Sequence, residues 1–139
     1  MTPRRVREAP PGAANVADSS AWLAYLGNEP TAREFAAAVE PVERLVVPSI
    51  CLLEVFKTVR RQREENEARR AIALMQRGYV VPLDASLALD AARFGAAHRL
   101  ATADSIVYAT ARLFGATLWT QDAHFEGLAD VRYVPRRPA

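Results

Sequence analysis

The segment V-V-P-S-I-C-L-L-E-V-F at residues 46–56 decides the fold, because a short β-forming run passes directly into a helical pattern. Two further segments repeat this design, V-A-D-S-S-A-W-L at 16–23 and A-T-L-W-T-Q-D-A-H-F at 116–125. Strands that alternate with helices predict an α/β domain with a mainly parallel sheet and helices on both faces. We expect right-handed crossovers between its strands.

Local signals predict where the elements begin and end. Strands are expected at 15–18, 45–47, 79–83, 116–120 and 131–134. Helices are expected at 19–26, at 31–39, and from 49 into a charged stretch that breaks near Asn66. Three further helices are expected through 71–78, from 84 or 86 to 98, and at 103–114. The expected helix caps are Asp18 or Ser19, Thr31 in a capping box with Glu34, Ser49, and Asp84 or Ser86.

The length and composition indicate one compact domain with charged ends. The chain has 139 residues, of which 50% are hydrophobic, and a net charge of +2. We divide it into a basic N-terminal arm at 1–14, a domain at 15–135 and a C-terminal tail at 136–139. The arm and the tail each carry +2, so the domain between them is slightly acidic. These basic ends either contact RNA phosphates or only improve solubility.

Several classes of protein are disfavoured by what the sequence lacks. No apolar run approaches the roughly 20 residues of a membrane span, and the N-terminus lacks the apolar centre of a signal peptide, which favours a cytoplasmic protein. The single cysteine, Cys51, lies among apolar residues and is predicted to be a buried, inert thiol. The absence of G-x-G-x-x-G, G-x-x-x-x-G-K-[ST] and C-x-x-C argues against nucleotide-cofactor, P-loop and zinc-ribbon proteins.

Four acidic residues lie in segments where a strand ends or a helix begins: Asp18, Glu54, Asp104 and Asp122, of which Glu54 lies deeper in its helix. In an open parallel sheet, ligands gather at the carboxyl ends of the strands. Acids that converge there repel one another unless cations neutralise them. The set therefore predicts a divalent metal site.

Each of these acids also has a purely local explanation. Asp18 and Asp104 suit helix N-termini, where a carboxylate accepts from free backbone N–H groups. Asp122 suits a turn, and Glu54 suits the solvated edge of a helix. Taken singly, these explanations are adequate, and it is the set that favours a function.

Other polar residues around the acids are weaker candidates. Ser20 and Thr120 would hold a carboxylate or a metal-bound water, or else bond to nearby backbone. His98 and His124 are not spaced as a zinc pair, and we interpret both as surface residues. We predict that the aromatic residues Trp22, Trp119 and Phe125 belong to the core.

A basic stripe follows Glu54 along its helix. Lys57 and Arg61 lie three and seven residues further on, which places all three on roughly one helical face. Such a stripe suits an RNA backbone, and the alternative is a solvated helix that forms salt bridges. We favour RNA binding for Lys57 and Arg61 and salt bridges for Arg63, Arg69 and Arg70.

At these residues the chain resembles the PIN-domain family, in particular the VapC-type toxins of bacterial toxin–antitoxin pairs. The matching segments, in order, are D-S-S at 18–20, L-L-E-V at 52–55, A-D-S-I-V-Y-A-T-A at 103–111 and T-Q-D-A-H-F at 120–125. One departure is the long arm before a first strand that contains Asn15, where the family's first strand is apolar and close to the N-terminus.

The resemblance implies a three-layer α/β/α fold and a ribonuclease that depends on Mg²⁺ or Mn²⁺. It implies that the metal is held by Asp18, Glu54, Asp104 and Asp122, with Thr120 and Ser20 in support. It also implies a homodimer and a cognate antitoxin of the VapB type. The expected reaction is hydrolysis of RNA, whether tRNA, rRNA or mRNA, by metal-activated water. The alternatives are a non-catalytic module that binds RNA or a peptide, and a nuclease directed at DNA.

Overall fold

The computed structural model describes residue 10 and residues 12–139, so the arm predicted at 1–14 lies largely outside the described residues. Five strands form one parallel sheet: β1 (Asn15–Ala17), β2 (Leu45–Pro48), β3 (Tyr79–Val81), β4 (Thr117–Thr120) and β5 (Val131–Tyr133). Six α-helices connect and cover them: α1 (Ser19–Leu26), α2 (Ala32–Val39), α3 (Ser49–Gln62), α4 (Glu65–Met75), α5 (Ala85–His98) and α6 (Thr102–Leu113). The predicted three-layer α/β/α fold is confirmed.

The strand order β3-β2-β1-β4-β5 sets the position of the site. The chain builds outward from β1 to β2 and β3, and then returns to add β4 and β5 on the other side of β1. The order therefore reverses between β1 and β4, whose registers pair Asn15 with Thr117 and Ala17 with Trp119. Such a reversal opens a crevice at the carboxyl ends of the two strands, where ligands bind in open α/β sheets.

The core lies on both faces of this sheet. Every residue of β2 is buried, and Val16 of β1 and Leu118 of β4 are fully buried. Strands covered on both faces read as continuous apolar runs, which explains why 45–47 was recognisable in the sequence. Trp22 and Phe125 are buried as predicted.

The polar residue in the first strand is explained by its partner. Asn15 begins β1, and its side chain accepts a hydrogen bond of 2.9 Å from the indole N–H of Trp119. The guanidinium of Arg132 lies 4.5 Å from the centre of the Trp119 ring. Trp119 is thus buried, as predicted, with its polar atom paired.

Two of the predicted caps are present, one has the right position without the capping bond, and one is wrong. Asp18 and Asp84 accept from the backbone N–H groups of Ala21 and Leu87, at 2.9 and 2.8 Å. Thr31 occupies the N-cap position of α2, as predicted, but it makes no capping hydrogen bond, because its hydroxyl donates instead to the buried Gln121 side chain at 2.8 Å. Ser49 is already the first helical residue of α3, which Pro48 precedes without any side-chain cap.

The charged stretch breaks slightly earlier than predicted. Helix α3 ends at Gln62, Arg63 is extended, and α4 begins at Glu65, so the break precedes Asn66. The strand at 79–83 is also shorter than predicted, because it ends at Val81. Both differences affect only the ends of elements.

A glycine allows α5 and α6 to approach closely. A methyl group at Gly95 would lie 2.5 Å from the Ser105 hydroxyl oxygen, which is too close for any side chain to be added without movement. Ser105 donates in turn to the carbonyl of Ala101 at 2.9 Å, in the turn that opens α6. This contact fixes the start of α6, which carries Asp104.

The C-terminal tail lies against the start of α2. Arg137 donates to the carbonyl of Pro30 at 3.1 Å and pairs with Glu34. The pKa of Glu34 is lowered, chiefly by its hydrogen bond from Arg137.

Across residue 10 and residues 12–139, none of the helices has both the length and the apolar character required to cross a membrane.

Candidate metal centre

Asp18 stands at the carboxyl end of β1, where the chain turns into α1. Its carboxylate is 3% exposed and accepts three hydrogen bonds. Ser20 donates its hydroxyl to Oδ1 at 2.7 Å, and the Ala21 N–H donates to the same oxygen at 2.9 Å. Thr120 donates to Oδ2 at 2.6 Å. Asp18 therefore caps α1 and also lies in the crevice. Its role as a helix cap does not exclude a role in binding a metal.

Burial dominates the electrostatics of Asp18. It raises the pKa of the carboxyl from 3.8 to about 6, because the charged form is removed from water. The hydrogen bonds from Thr120, Ser20 and the Ala21 backbone oppose this rise, and the negative charge of Asp104 adds to it. Ionisation of Asp18 therefore costs the folded protein free energy.

Thr120 and Ser20 join the ends of β1 and β4. Besides donating to Asp18, the Thr120 hydroxyl accepts from the backbone N–H of Asp122 at 2.9 Å. The Ser20 hydroxyl accepts from the backbone N–H of Gln121 at 3.2 Å. Each hydroxyl therefore bonds both to a carboxylate and to backbone, so both roles weighed from the sequence occur together.

Asp104 and Asp122 converge with a histidine at the crevice. Asp104 lies in the first turn of α6, as predicted, and Asp122 opens a 3₁₀ helix at Ala123–Phe125. One potential ligand atom from each of Asp104, Asp122 and His124 lies within 4.8 Å of the others. This spacing allows the three side chains to contact one ion.

The pKa of Asp104 is raised as well. Partial burial is the largest cause, and the negative charges of Asp122 and Glu54 follow, while His124 acts in the opposite direction. Crowding of negative charge around Asp104 is the condition that a cation relieves.

Glu54 and Asp18 lie outside the group of three but act on it electrostatically. Glu54 is half-buried on α3, and its charge contributes to the raised pKa values of Asp104 and Cys51. Cys51 is fully buried, as predicted, and burial raises the pKa of its thiol well above the usual value. The four predicted acids thus interact electrostatically around one crevice, and Asp104 and Asp122 bring potential ligand atoms within 4.8 Å of each other and of His124.

The donor set fits a divalent cation. In the described part of the chain, no Lys or Arg forms an ion pair with any of the four acids, and the only ion-pair contact is with His124. The side chains of Asp104 and Glu54 accept no hydrogen bond from residues that the structure describes, which leaves their oxygens available to a ligand. Carboxylate oxygens are what Mg²⁺ and Mn²⁺ prefer.

The basic residues of α3 and α4 fall into two groups. Arg60, Arg63 and Arg69 pair with Glu65 or Glu67 at 3.2 to 3.7 Å, which confirms the predicted salt bridges of Arg63 and Arg69. Arg70, also assigned to a salt bridge, has no ion pair with a described residue. Lys57 and Arg61 are exposed and likewise have no such pair, so both remain available to an anionic ligand.

A cleft of about 690 Å³ runs beside the acids, between α1, α3 and α4. Leu23, Leu26 and Leu74 are among its apolar residues. Ser20 and Gln121 also line it, so the cleft reaches the segment that carries Thr120 and Asp122. Arg136 of the tail also lines it.

His124 is the site residue that sequence reasoning missed. It is exposed, as predicted, but it lies beside two acids, with its Nδ1 3.0 Å from Oδ1 of Asp122. The available signal was its spacing of two residues from Asp122, which a tight turn converts into proximity. His98 differs, since it stacks on Phe94 with ring centres 6.2 Å apart.

The fold and this site define a parallel α/β domain with a candidate divalent-metal centre at its topological switch point. Residues 16–131 match the model of the PIN domain family. The chain therefore belongs to the PIN domain family.

Solved structures share this fold at low sequence identity. A toxin–antitoxin complex from Klebsiella pneumoniae has a TM-score of 0.71 and 20% identity, over 86% of this chain and 96% of that one. VapC20 from Mycobacterium tuberculosis, a toxin that cleaves the sarcin-ricin loop, has a TM-score of 0.70 and 20% identity, over 90% and 100%. DNA-bound VapBC from Salmonella typhimurium has a TM-score of 0.68 and 15% identity, over 89% and 98%. No curated protein matches the sequence.

Proposed function

We propose that the protein is a metal-dependent endoribonuclease that hydrolyses RNA phosphodiester bonds and acts as the toxin of a VapBC-type pair. The observation that carries this proposal is the convergence of Asp104 and Asp122 at the switch point, with Asp18 and Glu54 adding negative charge and no Lys or Arg of the described residues pairing with them. The family match and the toxins among the structural neighbours support it.

In this proposal Asp18, Glu54, Asp104 and Asp122 hold one or two Mg²⁺ or Mn²⁺ ions. A bound ion would supply an activated water and would neutralise charge on the phosphoryl and leaving oxygens. Thr120 and Ser20 keep the Asp18 carboxylate aimed into the crevice through their hydrogen bonds. Lys57 and Arg61 extend a positive surface along α3 that contacts the RNA backbone.

The test is cleavage of a structured RNA pool by the purified protein, with Mg²⁺ or Mn²⁺ and with EDTA. We expect cutting that requires the metal and that is stronger on RNA than on DNA of the same sequence. Preferred cutting of DNA would instead favour a DNA-directed nuclease. Binding of RNA without any cutting, by folded protein that binds Mn²⁺, would favour a non-catalytic module.

The antitoxin partner is the second part of the proposal. The cleft between α1, α3 and α4 has apolar leucines, and it is also lined by Ser20, which bonds to Asp18, and by Gln121, which precedes Asp122, so it suits an amphipathic segment laid in a groove beside the acids. We propose that a VapB-type antitoxin encoded beside this chain occupies the cleft, presents an Arg to the acids and holds the toxin inactive in the cytoplasm. A short upstream open reading frame that overlaps this one is the simplest genomic support.

We expect Leu26→Glu to weaken binding of that antitoxin by roughly thirtyfold, since loss of a buried anchor costs about 2 kcal/mol. Leu26 lines the cleft, and isothermal titration with the purified antitoxin measures the change. Leu113→Glu is the matched control, because Leu113 is an exposed leucine, 60% accessible, that does not line the cleft. Equal affinities for the two variants would place the antitoxin elsewhere.

A homodimer is also part of the proposal. Leu83 and Leu89 are exposed at 46% and 60%, and a cleft of about 410 Å³ lies between α5 and α6, lined by Leu83 and several small residues. Exposed apolar surface of this kind marks interfaces. The molar mass from light scattering tests it, and a monomer at every concentration would contradict it.

A further inference from the structure

We propose that His124 supplies a nitrogen ligand to the cation held by Asp104 and Asp122, so that the site binds Mn²⁺ in preference to Mg²⁺. This inference rests on the proposed metal centre and deepens it. It begins from the spacing of the three side chains, whose potential ligand atoms lie within 4.8 Å of one another.

The backbone that carries His124 is held on both sides. Asp122 caps the 3₁₀ helix by accepting from the backbone N–H of His124 at 2.9 Å. The next residue, Phe125, is fully buried and anchors the other side of the turn. Although its side chain is 78% exposed, His124 is therefore attached to a fixed segment and not to a loose loop.

The contact between the ring and Asp122 leaves ligand atoms available. Nδ1 of His124 and the His124 backbone N–H both lie against Oδ1 of Asp122, at 3.0 and 2.9 Å. No described residue hydrogen-bonds to Oδ2 of Asp122 or to the Asp104 carboxylate. An imidazole whose one nitrogen contacts a carboxylate has its ring orientation fixed, an arrangement that is common among histidines that bind metals.

The chemistry of the ligands gives the selectivity. Mg²⁺ takes oxygen ligands and retains several waters, whereas imidazole nitrogen suits transition-metal ions. A site of carboxylates alone would discriminate little between Mg²⁺ and Mn²⁺ on this basis. Addition of one nitrogen ligand shifts the preference towards Mn²⁺.

The competing explanation is that His124 is only a neighbouring cation that offsets the charge of Asp122. In that case its removal would alter the affinities for Mg²⁺ and Mn²⁺ alike, because both ions carry the same charge. A ligand role predicts a loss that is specific to Mn²⁺. The two explanations therefore predict different ratios of Mn²⁺ affinity to Mg²⁺ affinity when His124 is removed.

The chain offers a matched control, because it contains two histidines, and the other one, His98, is also exposed but stacks on Phe94 and does not belong to the group of potential metal ligands. Untagged wild type, His124→Ala, His98→Ala and Asp104→Asn are titrated with Mn²⁺ alone and with Mg²⁺ alone. Electron spin echo spectroscopy of bound Mn²⁺ then detects any histidine nitrogen attached to the ion.

We expect nitrogen coupling in wild type and in His98→Ala, and its loss in His124→Ala. We also expect His124→Ala to bind Mn²⁺ at least about tenfold more weakly, with a much smaller change for Mg²⁺. Bound Mn²⁺ without nitrogen coupling in wild type, or coupling that persists in His124→Ala, would overturn the inference while leaving the metal centre intact. Failure of wild type to bind Mn²⁺, or unchanged binding in Asp104→Asn, would instead remove the proposed centre and the inference with it.

Discussion

Asp104→Asn is expected to reduce metal-dependent RNA cleavage by roughly a thousandfold, about 4 kcal/mol in the barrier. The substitution removes one of the two carboxylates whose potential ligand atoms lie within 4.8 Å of each other and of His124. An amide in its place carries no charge to hold a divalent ion. Initial rates on one RNA under saturating Mg²⁺ measure the effect.

The fold should survive this change. The Asp104 carboxylate accepts no hydrogen bond from the described residues, and its pKa is raised by partial burial and then by the charges of Asp122 and Glu54, so neutralising it removes a desolvation cost and relieves repulsion. We therefore expect a melting temperature without metal that equals or exceeds that of the wild type. A loss of activity with intact folding separates a role in the site from a structural one.

Asp90→Asn serves as the control for this experiment. Asp90 is an acid on α5 that pairs with Arg93 at 3.0 Å, outside the crevice. Its substitution should leave cleavage within about twofold of wild type, since changes at exposed pairs are small. Cleavage by Asp104→Asn at the wild-type rate would show that the assigned centre is wrong.

The second large effect is a dependence of stability on pH that originates in Asp18. Burial raises the pKa of this carboxyl from 3.8 to about 6 in the folded protein. Ionisation is therefore harder in the folded state than in the unfolded state, and the cost is about 3 kcal/mol once both states are ionised. This cost is absent when the pH is below 3.8, the pKa of the carboxyl in the unfolded protein. It develops fully as the pH rises through about 6, the pKa in the folded protein.

In EDTA, we expect the contribution of Asp18 to the free energy of unfolding to fall by about 2 kcal/mol between about pH 4 and about pH 7. Asp18→Asn should lose this contribution, since an amide does not titrate. Its oxygen still accepts from Ser20 and Ala21, and its amino group donates to the Thr120 hydroxyl, so the cap is retained. Urea unfolding of both proteins at several pH values gives the difference.

Asp84→Asn controls for the effect of changing a capping aspartate. Asp84 caps α5 as Asp18 caps α1, but it is exposed. This variant should follow the wild-type dependence on pH. A constant difference between Asp18→Asn and wild type across the pH range would refute the assigned burial cost.

Mg²⁺ should stabilise wild type near neutral pH, because binding favours the folded state.

Much of the fold was determined by the sequence itself. The change from β-forming runs to helical spacing identified all five strands, and the errors fell at element ends such as Val81 and Gln62. These signals are local, because burial on both faces makes a strand continuously apolar and a helix must repeat its apolar residues every turn. The order of the acidic motifs was equally visible in the sequence, and the assignment of these acids to a metal site stays a prediction.

The tertiary structure decided what depends on partners distant in the chain. Thr31 was assigned a local capping box, but its hydroxyl found a buried partner at Gln121, 90 residues away. Asp18 and Thr120 meet across 102 residues, and this contact combines with burial to set the charge state of Asp18.

The tertiary structure also decided which side chains share the candidate site. His124 is an ordinary surface histidine in the sequence and becomes a neighbour of Asp104 only when β4 lies beside β1. Hydrophobic periodicity fixes which face of an element is buried, and so specifies the layers of the fold. It carries no information about which polar groups at the strand ends come within a few ångströms, because that depends on the strand order and on contacts between distant segments.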